Sequence, residues 1–179
     1  MELPVFRYHP DPLASGSVIQ SSAKCRRCKK SRGYIYTANV YSEDELTDAL
    51  CPWCIADGSA FEKFDATFVD SEAFADEIPE EVLDEVTQRT PGFNAWQSEH
   101  WPVCCKDATA FLAPVGIAEI RANYREVEYE VLNYVIHDLE ISGGAATRMV
   151  ESLKKDSSPT AYLFRCLHCQ RHHVHVDSL

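Results

Sequence analysis

Apolar and polar positions divide the chain into extended segments near its two ends and helical segments between them. The run 34–41 is rich in β-branched and aromatic residues and predicts one arm of a hairpin, with residues 17–22 as another short strand. Residues 160–165 and 172–177 predict two further strands toward the C-terminal end. We therefore expect extended structure at both ends of the chain.

Helical spacing of apolar residues dominates the middle of the chain. Pro79 and the two glutamates after it indicate the start of a helix, and Pro91 indicates its end. The runs 107–112 and 116–139 carry apolar residues at helical steps, and a short helix is predicted over 145–153 after a Gly-Gly break. Together these elements predict an α+β fold with a helical middle.

Length and composition are those of a globular protein. The 179 residues are 45% hydrophobic and 25% charged, which suits one ordinary domain or two small ones. We divide the chain into an N-terminal region, 1–75, and a C-terminal region, 76–179, which together form one compact domain if their interface is extensive. The N-terminus lacks signal-peptide features and no apolar run approaches roughly 20 residues, so we expect a cytoplasmic protein without membrane association.

Eight cysteines carry the strongest chemical signal. In a reducing compartment they favour metal binding or redox chemistry over disulfides. Cys25 and Cys28 form one Cys-x-x-Cys pair, and Cys51 and Cys54 form a second pair after 22 intervening residues. Two such pairs fit the four thiolate ligands of a zinc ion. The second pair runs into a short helix predicted over 55–61, so we expect a treble-clef-like zinc finger.

The remaining cysteines predict a second zinc site. Cys166 and Cys169 lie between the two C-terminal strands, where a hairpin would present them as a zinc knuckle. Cys104 and Cys105 are our preferred partners, with a helix start after Pro102 supplying the sharp turn that adjacent ligands need. The alternative is a shell in which a histidine replaces one cysteine, and the candidates are His100, His172, His173 and His175. The sequence thus predicts two zinc ions.

Other chemistry is weakly indicated. Basic residues surround the first cysteine pair, but a Zn(Cys)₄ centre carries a charge of about −2 that nearby cations offset. With a net charge of −11, a nucleic-acid partner is not expected. Carboxylates such as Asp57 and Asp107 are numerous, yet no motif directs them to a reaction, and no open catalytic zinc motif is present.

The order of these motifs resembles the CbrC-like family of uncharacterised bacterial proteins. The matching stretches are residues 3–12, 25–28, 33–36, 51–58, 104–107, 111–112 and 163–169. The resemblance implies a bacterial cytosolic protein without an established activity, and it implies that all eight cysteines form one design. The chain departs from the family just after the last cysteine, where the family tends to have glycine and this chain has Gln170, Arg171, His172 and His173.

Three classes of function are compatible with these patterns. Closed four-cysteine shells favour structural zinc in a protein-interaction or adaptor protein with an unknown protein partner. An enzyme would instead build a pocket from the helical region, around Trp53, Asp57, Trp96 and Trp101. A thiol-based redox or metal sensor would lose zinc reversibly as cysteine pairs oxidise. The sequence names no reaction and no oligomeric state.

Overall fold

The computed structural model describes residues 2–74, 78–97 and 99–178. The strands are β1 (Val18–Gln20), β2 (Tyr34–Tyr36), β3 (Val103–Cys104), β4 (Asp107–Ala108), β5 (Ala110–Val115), β6 (Thr160–Arg165) and β7 (His172–Asp177). The helices are α1 (Pro52–Ala56), α2 (Ser59–Phe64), α3 (Glu80–Arg89), α4 (Ile117–Asn123), α5 (Glu128–His137) and α6 (Gly143–Ser152), with 3-10 turns at Ser71–Ala73 and Arg125–Val127. Among these described residues, no helix is long and apolar enough to cross a membrane. The fold is mixed α+β.

Strands β1 and β2 form the predicted N-terminal hairpin. They are antiparallel, with Val18 opposite Tyr36 and Gln20 opposite Tyr34. Strand β2 is shorter than the predicted run 34–41. The backbone N–H of Tyr36 donates to the carbonyl of Leu50 at 2.9 Å, which places the segment before the second cysteine pair against the hairpin.

Two short helices replace the single helix predicted over 55–61. Helix α1 ends at Ala56 and α2 begins at Ser59, with Gly58 between them at a φ of 75°. Glycine adopts this left-handed conformation without the steric cost that a Cβ imposes. The Asp57 carboxylate accepts a hydrogen bond from the Ser59 backbone N–H at 2.9 Å and so stabilises the start of α2.

The prediction of a helix over 107–112 is wrong. These residues contribute to strands β4 and β5, and β5 pairs antiparallel with β6. Short apolar runs suit a buried strand as well as a buried helix, because their length is too small for periodicity to distinguish the two. The C-terminal hairpin is therefore part of a three-stranded sheet of order β5-β6-β7, and the middle of the chain is only partly helical.

The single helix predicted over 116–139 is interrupted. Helix α4 ends at Asn123, a 3-10 turn follows, and α5 begins at Glu128. Tyr124 leaves the helical region, with a φ of −141° and a ψ of 43°. The apolar spacing continues across this break because both helices contribute to one core cluster with the sheet. Helix α6 begins at Gly143, slightly before the predicted 145–153.

Strand β6 is buried on both faces. Ala161 and Leu163 belong to the core cluster that α4, α5 and α6 form over one face of the sheet. Tyr162 and Phe164 point to the opposite face, because side chains alternate along a strand, and pack in an aromatic cluster there. In that cluster the rings of Phe93 and Phe111 stack with their centroids 4.1 Å apart. Two separate apolar layers thus cover the sheet.

The N-terminal segment packs against the C-terminal half of the chain. Tyr8 is fully buried in the aromatic cluster, and its carbonyl accepts a hydrogen bond from the Phe111 backbone N–H at 2.9 Å. His9 Nδ1 lies 2.7 Å from the Pro91 carbonyl oxygen. The boundary that we predicted between 1–75 and 76–179 lies outside the described residues, so the division into two regions stays a prediction.

We expect His9 to make stability depend on pH. Its Nδ1–H donates to the Pro91 carbonyl, and burial lowers its pKa to about 4. Between this value and the ordinary pKa of about 6.5, the unfolded chain binds more protons, so stability falls as the pH falls. A shift of this size corresponds to about 3 kcal/mol.

Chemical denaturation of the wild type and His9→Gln between pH 4 and pH 8 measures this effect. The difference in unfolding free energy between the two proteins should shrink as the pH falls below about 6.5. Other titrating groups are common to both proteins and cancel in that difference. Parallel pH profiles would contradict the expectation.

Candidate metal centres

Four cysteine sulfurs converge between the N-terminal hairpin and helix α1. The Sγ atoms of Cys25 and Cys54 are 3.8 Å apart, those of Cys28 and Cys51 are 3.9 Å apart, and those of Cys51 and Cys54 are 3.7 Å apart. A tetrahedral zinc with bonds of about 2.3 Å needs sulfurs about 3.8 Å apart, whereas a disulfide needs about 2.05 Å. All four cysteines are free, and the set fits one tetrahedral metal ion.

The first pair lies on a tight turn within the hairpin. The Lys29 backbone N–H donates to the Cys25 carbonyl at 2.8 Å, and the Cys25 N–H donates to the Lys30 carbonyl at 2.9 Å. This closure puts Lys29 in the left-handed region at a φ of 62°. The Cys51 N–H donates to the Cys25 sulfur at 3.4 Å. The turn thus aims both sulfurs of the pair toward one point.

The second pair begins helix α1. Cys51 precedes the first helical residue, Pro52, whose lack of an N–H costs nothing at that position. The Cys54 N–H donates to the Cys51 carbonyl at 3.0 Å, so the first helical turn brings the two sulfurs together. Cys25, Cys51 and Cys54 are buried and belong to the N-terminal core cluster. The site is therefore part of that core.

A second group of four sulfurs forms where two hairpins meet. Cys104, Cys105, Cys166 and Cys169 lie with their sulfurs all within 4.8 Å of one another. The sulfur of Cys104 is 3.8 Å from that of Cys105 and 3.7 Å from that of Cys169, again the edge length of a tetrahedral zinc–thiolate shell. Cys105 and Cys169 are exposed, so this group lies at the surface.

The turn that separates Cys104 from Cys105 differs from the one we predicted. A hairpin, β3–β4, replaces the expected helix start after Pro102, with Cys104 paired to Asp107. The two residues between them, Cys105 and Lys106, both have positive φ, 56° and 60°. Two left-handed residues are the requirement of a type I′ turn. Glycine or asparagine usually fills those positions, and neither is present to signal the turn.

The last cysteine pair repeats the turn of the first. The Gln170 N–H donates to the Cys166 carbonyl at 3.2 Å, and the Cys166 N–H donates to the Arg171 carbonyl at 2.8 Å. Gln170 is left-handed at a φ of 61°, as Lys29 is in the first pair. The Cys166 sulfur also accepts hydrogen bonds from the N–H groups of His168 and Cys169. Residues 25–30 and 166–171 thus form the same knuckle.

The alternative histidine ligands make other contacts. His172 Nδ1 lies 2.8 Å from a Glu126 carboxylate oxygen, and His175 Nδ1 lies 2.7 Å from the Tyr134 hydroxyl. The ring of His100 lies 5.1 Å from that of His175. His173 Nδ1 is 3.7 Å from a carboxylate oxygen of helix α5. The structure therefore groups the four cysteines, while the assignment of metal ligands stays a prediction.

Clustering controls the ionisation of the thiols. Hydrogen bonding by Cys51 lowers the pKa of Cys25 to about 4, and hydrogen bonding to the resulting thiolate raises the pKa of Cys51. In the second group, burial acts to raise the pKa of Cys166, but N–H donors and neighbouring thiols lower it to about 6. Burial raises the pKa of Cys104. In each group the pKa of one cysteine, Cys25 or Cys166, is thus lowered while that of a neighbouring cysteine is raised.

A buried carboxylate connects the second group to the N-terminal segment. Asp107 accepts hydrogen bonds from the Tyr8 hydroxyl and from Arg7, each at 2.7 Å, and His168 Nε2 is also 2.7 Å away. Burial acts to raise the pKa of Asp107, but these three partners hold it below its usual range. The sequence marked Asp107 only as one undirected carboxylate, because its partners lie roughly 60 to 100 positions away.

Three of the basic residues near the first site are engaged locally. Arg26 forms an ion pair with Asp44 at 2.7 Å, Arg27 Nε donates to the Ser59 carbonyl at 2.9 Å, and Arg32 lies over the Trp53 ring. The lysines of the same segment, Lys24, Lys29 and Lys30, are exposed.

The residues expected to line an enzyme pocket are not brought together. Trp101 is fully buried in the aromatic cluster, where its Nε1 donates to the Thr109 carbonyl at 2.7 Å. Trp53 packs beside the N-terminal core, and Asp57 serves as the helix cap already described. Trp96 lies at the surface, 44% exposed. The described structure therefore provides no common site for these four residues.

Fold and sites together define a small α+β protein with two four-cysteine groups that fit metal ions. The chain belongs to UPF0167, an uncharacterised protein family, whose sequence model matches residues 3–178. It is 44% identical to UPF0167 proteins of Mycobacterium bovis and Mycobacterium tuberculosis, over 98% of this chain and 94% of each relative. A UPF0167 protein of Pseudomonas aeruginosa is 42% identical, over 98% of this chain and 97% of that relative. No solved structure matches the chain.

Replacing Lys29 by glycine should stabilise the first knuckle. Lys29 has a φ of 62°, a conformation that costs a residue with a Cβ about 1 kcal/mol and glycine almost nothing. We expect Lys29→Gly to raise the unfolding free energy by up to about 1 kcal/mol. Lys30→Gly is the matched control, and it should lower stability because glycine adds freedom only to the unfolded chain. Denaturant titration of the metal-loaded proteins shows whether each substitution raises or lowers the unfolding free energy.

Removing the Tyr8 hydroxyl should destabilise the protein. Tyr8→Phe keeps the buried ring but leaves Asp107 one donor short, which we expect to cost about 1–3 kcal/mol. Tyr129→Phe is the control, since Tyr129 is 72% exposed and should change stability by less than about 0.5 kcal/mol. Equal midpoints of denaturation for the two variants would show that the buried hydrogen bond is not stabilising.

Proposed function

We propose that this protein binds two zinc ions, one in each four-cysteine group. The observation that carries the proposal is the sulfur spacing of 3.7–3.9 Å in both groups. That spacing is the edge of a tetrahedral shell with zinc–sulfur bonds of about 2.3 Å, and it is too long for a disulfide. Zinc supplies the positive charge that allows four thiols at such short distances to ionise.

Both metals are proposed as structural. Four sulfur ligands close a tetrahedral shell, whereas a catalytic zinc keeps a position for water or substrate. Cys25, Cys28, Cys51 and Cys54 hold the first ion within the N-terminal core. Cys104, Cys105, Cys166 and Cys169 hold the second, which ties hairpin β3–β4 to the turn between β6 and β7. Metal binding then contributes directly to the folding free energy.

The function proposed with these metals is protein interaction, as a cytoplasmic adaptor. Closed metal shells and the lack of a shared site around Trp53, Asp57, Trp96 and Trp101 support it over an enzyme. The treble-clef-like character of the first site and the CbrC-like assignment belong to the same proposal. Support for a treble clef comes from a knuckle inside a hairpin followed by a second cysteine pair at the start of a helix.

One observation favours a thiol-based sensor as a second candidate. Cys105 and Cys169 are exposed, whereas the first group is buried except for Cys28. A peroxide could therefore reach the second group first and take two electrons from two thiolates. A disulfide would form, the peroxide would be reduced to water, and the zinc ion would be released.

Metal analysis of the purified, reduced protein tests the proposal. We expect two zinc ions per chain in the wild type and one in either Cys51→Ser or Cys105→Ser, because each substitution opens a single shell. The two substitutions serve as controls for each other, since each leaves the other group intact. A wild-type content well under one zinc per chain overturns the proposal.

Oxidant titration separates the two candidate functions. Under mild peroxide, a sensor should release about one zinc ion, regain it after reduction, and lose this response in Cys105→Ser. A purely structural pair of sites should retain both ions until the protein unfolds. Zinc release is followed with a colorimetric chelator, and unfolding is followed by circular dichroism.

A further inference from the structure

An acidic groove lies away from both cysteine groups. It opens between the segment around Tyr41, the 3-10 turn Ser71–Ala73 and the residues that follow helix α3, and its volume is about 560 Å³. We call it the Glu99 groove. Its polar and aromatic lining residues are Tyr41, Asp70, Glu72, Trp96, Gln97 and Glu99. This volume lies within the usual range of small-ligand sites, about 300–1,000 Å³.

Glu99 is the unusual member of this lining. It is only 7% exposed, and among the described residues its Oε1 atom has no hydrogen-bond partner. Its Oε2 atom accepts a long hydrogen bond, 3.3 Å, from the Asp70 backbone N–H, and the Tyr41 hydroxyl also interacts with the carboxylate. Burying a carboxylate is costly unless a cation or strong donors compensate. The Glu99 carboxylate, which lines the groove, is therefore incompletely compensated by the described protein groups around it.

The surroundings of Glu99 add negative charge. Asp70 and Glu72 line the same groove, and no described Lys or Arg forms an ion pair with any of these three carboxylates. Burial, with a further contribution from Asp70, raises the pKa of Glu99 to about 7, although the Asp70 N–H and the Tyr41 hydroxyl act to lower it. A cation in the groove would relieve both the burial cost and the repulsion.

Two aromatic side chains line the same space. Trp96 is 44% exposed and Tyr41 is 37% exposed, so both offer surface to a ligand. The Trp96 ring is held in place by a hydrogen bond from Nε1 to Thr160 Oγ1 at 3.2 Å. The next residue is also fixed, because the Gln97 N–H donates to an Asp177 carboxylate oxygen at 2.8 Å. Aromatic faces attract organic cations, because the ring carries partial negative charge on its faces.

The carboxylates do not form a metal site. A shared metal ion needs several ligand atoms close together, and among the described residues only the two cysteine groups bring three or more within 4.8 Å of one another. A hard divalent cation would also not interact favourably with the Trp96 ring, because such ions bind oxygen ligands. The combination of a buried carboxylate with aromatic walls suits a cation that is bulky and partly apolar.

We propose that the Glu99 groove binds an alkylammonium group, with Glu99 as its principal counter-ion and Trp96 against its apolar part. The same chemistry is offered by a free aliphatic amine and by the lysine side chain of a protein. This site is independent of the proposed zinc ions, because it shares no residue with either cysteine group.

Calorimetric titration at about pH 8 with the full-length, zinc-loaded protein tests the proposal. The probes are 1,4-diaminobutane and Nα-acetyl-lysine amide, and the controls are their uncharged counterparts, 1,4-butanediol and Nα-acetyl-norleucine amide. We expect the charged probes to bind and the uncharged ones not to bind. The tighter of the two amines identifies whether the natural ligand is a free amine or a lysine side chain.

Variants locate the binding. Glu99→Gln is nearly isosteric and should weaken amine binding about tenfold or more, since it removes the buried counter-charge. Trp96→Leu should also weaken it, by roughly three- to tenfold. The exposed Glu72→Gln cannot disturb a core and should weaken binding about threefold. Glu43→Gln, an exposed substitution at a residue that does not line the groove, should leave binding unchanged.

Three results would overturn the proposal. These are the absence of amine binding, equal binding of amines and their uncharged counterparts, and binding that neither Glu99→Gln nor Glu72→Gln weakens. Zinc content is measured on the same samples. If the protein retains two zinc ions but does not bind amines, only the proposal for the Glu99 groove is contradicted. If it binds amines but contains no zinc, only the zinc proposal is contradicted.

Discussion

Mutual repulsion among closely spaced thiolates is the constraint on which this structure depends. Each group places its sulfurs about 3.8 Å apart, where four negative charges cannot coexist without a divalent cation. The first group is continuous with the N-terminal core, so the same atoms that would bind metal also pack against Leu50 and Ile55. The second group connects segments about 60 positions apart along the chain. The first cysteine group and the N-terminal core therefore share residues, whereas the second group lies at the surface.

The two cysteine groups share the local structure that brings one pair of sulfurs together, and they differ in their surroundings. Residues 25–30 and 166–171 share a knuckle with matching backbone hydrogen bonds and a left-handed residue after the second cysteine. The remaining cysteine pairs differ, because one begins a helix and the other occupies a type I′ turn. This difference places the first group inside the protein and leaves the second at the surface. Both groups consist of four cysteines, so they differ in their exposure to solvent and not in residue type.

Sequence patterns predicted the elements that interactions between nearby residues determine. Alternation and β-branched residues predicted strands 160–165 and 172–177 with the bounds that the structure has. The Cys-x-x-Cys spacing predicted that Cys25, Cys28, Cys51 and Cys54 converge, whereas the spacing alone did not identify Cys104 and Cys105 as neighbours of the last pair. The helix expected over 107–112 was wrong because a short apolar run suits strand or helix alike. The turn at Cys105 and the break at Tyr124 carry no glycine or proline, so only tertiary packing determines them. Similarly, the burial of Glu99 depends on segments that are distant in the sequence, so no local pattern predicts it.

The order of the ligands along the chain has a consequence for biosynthesis. A chain emerging from the ribosome can complete the first cysteine group once Cys54 has left the exit tunnel. The second group must wait until Cys169 appears, roughly 100 residues later, and strand β5 has no partner before β6 is made. Nascent or truncated chains thus expose the aromatic face of β5 and two unpaired, accessible thiols. Completion of the second cysteine group therefore coincides with the step at which β6 becomes available to cover β5.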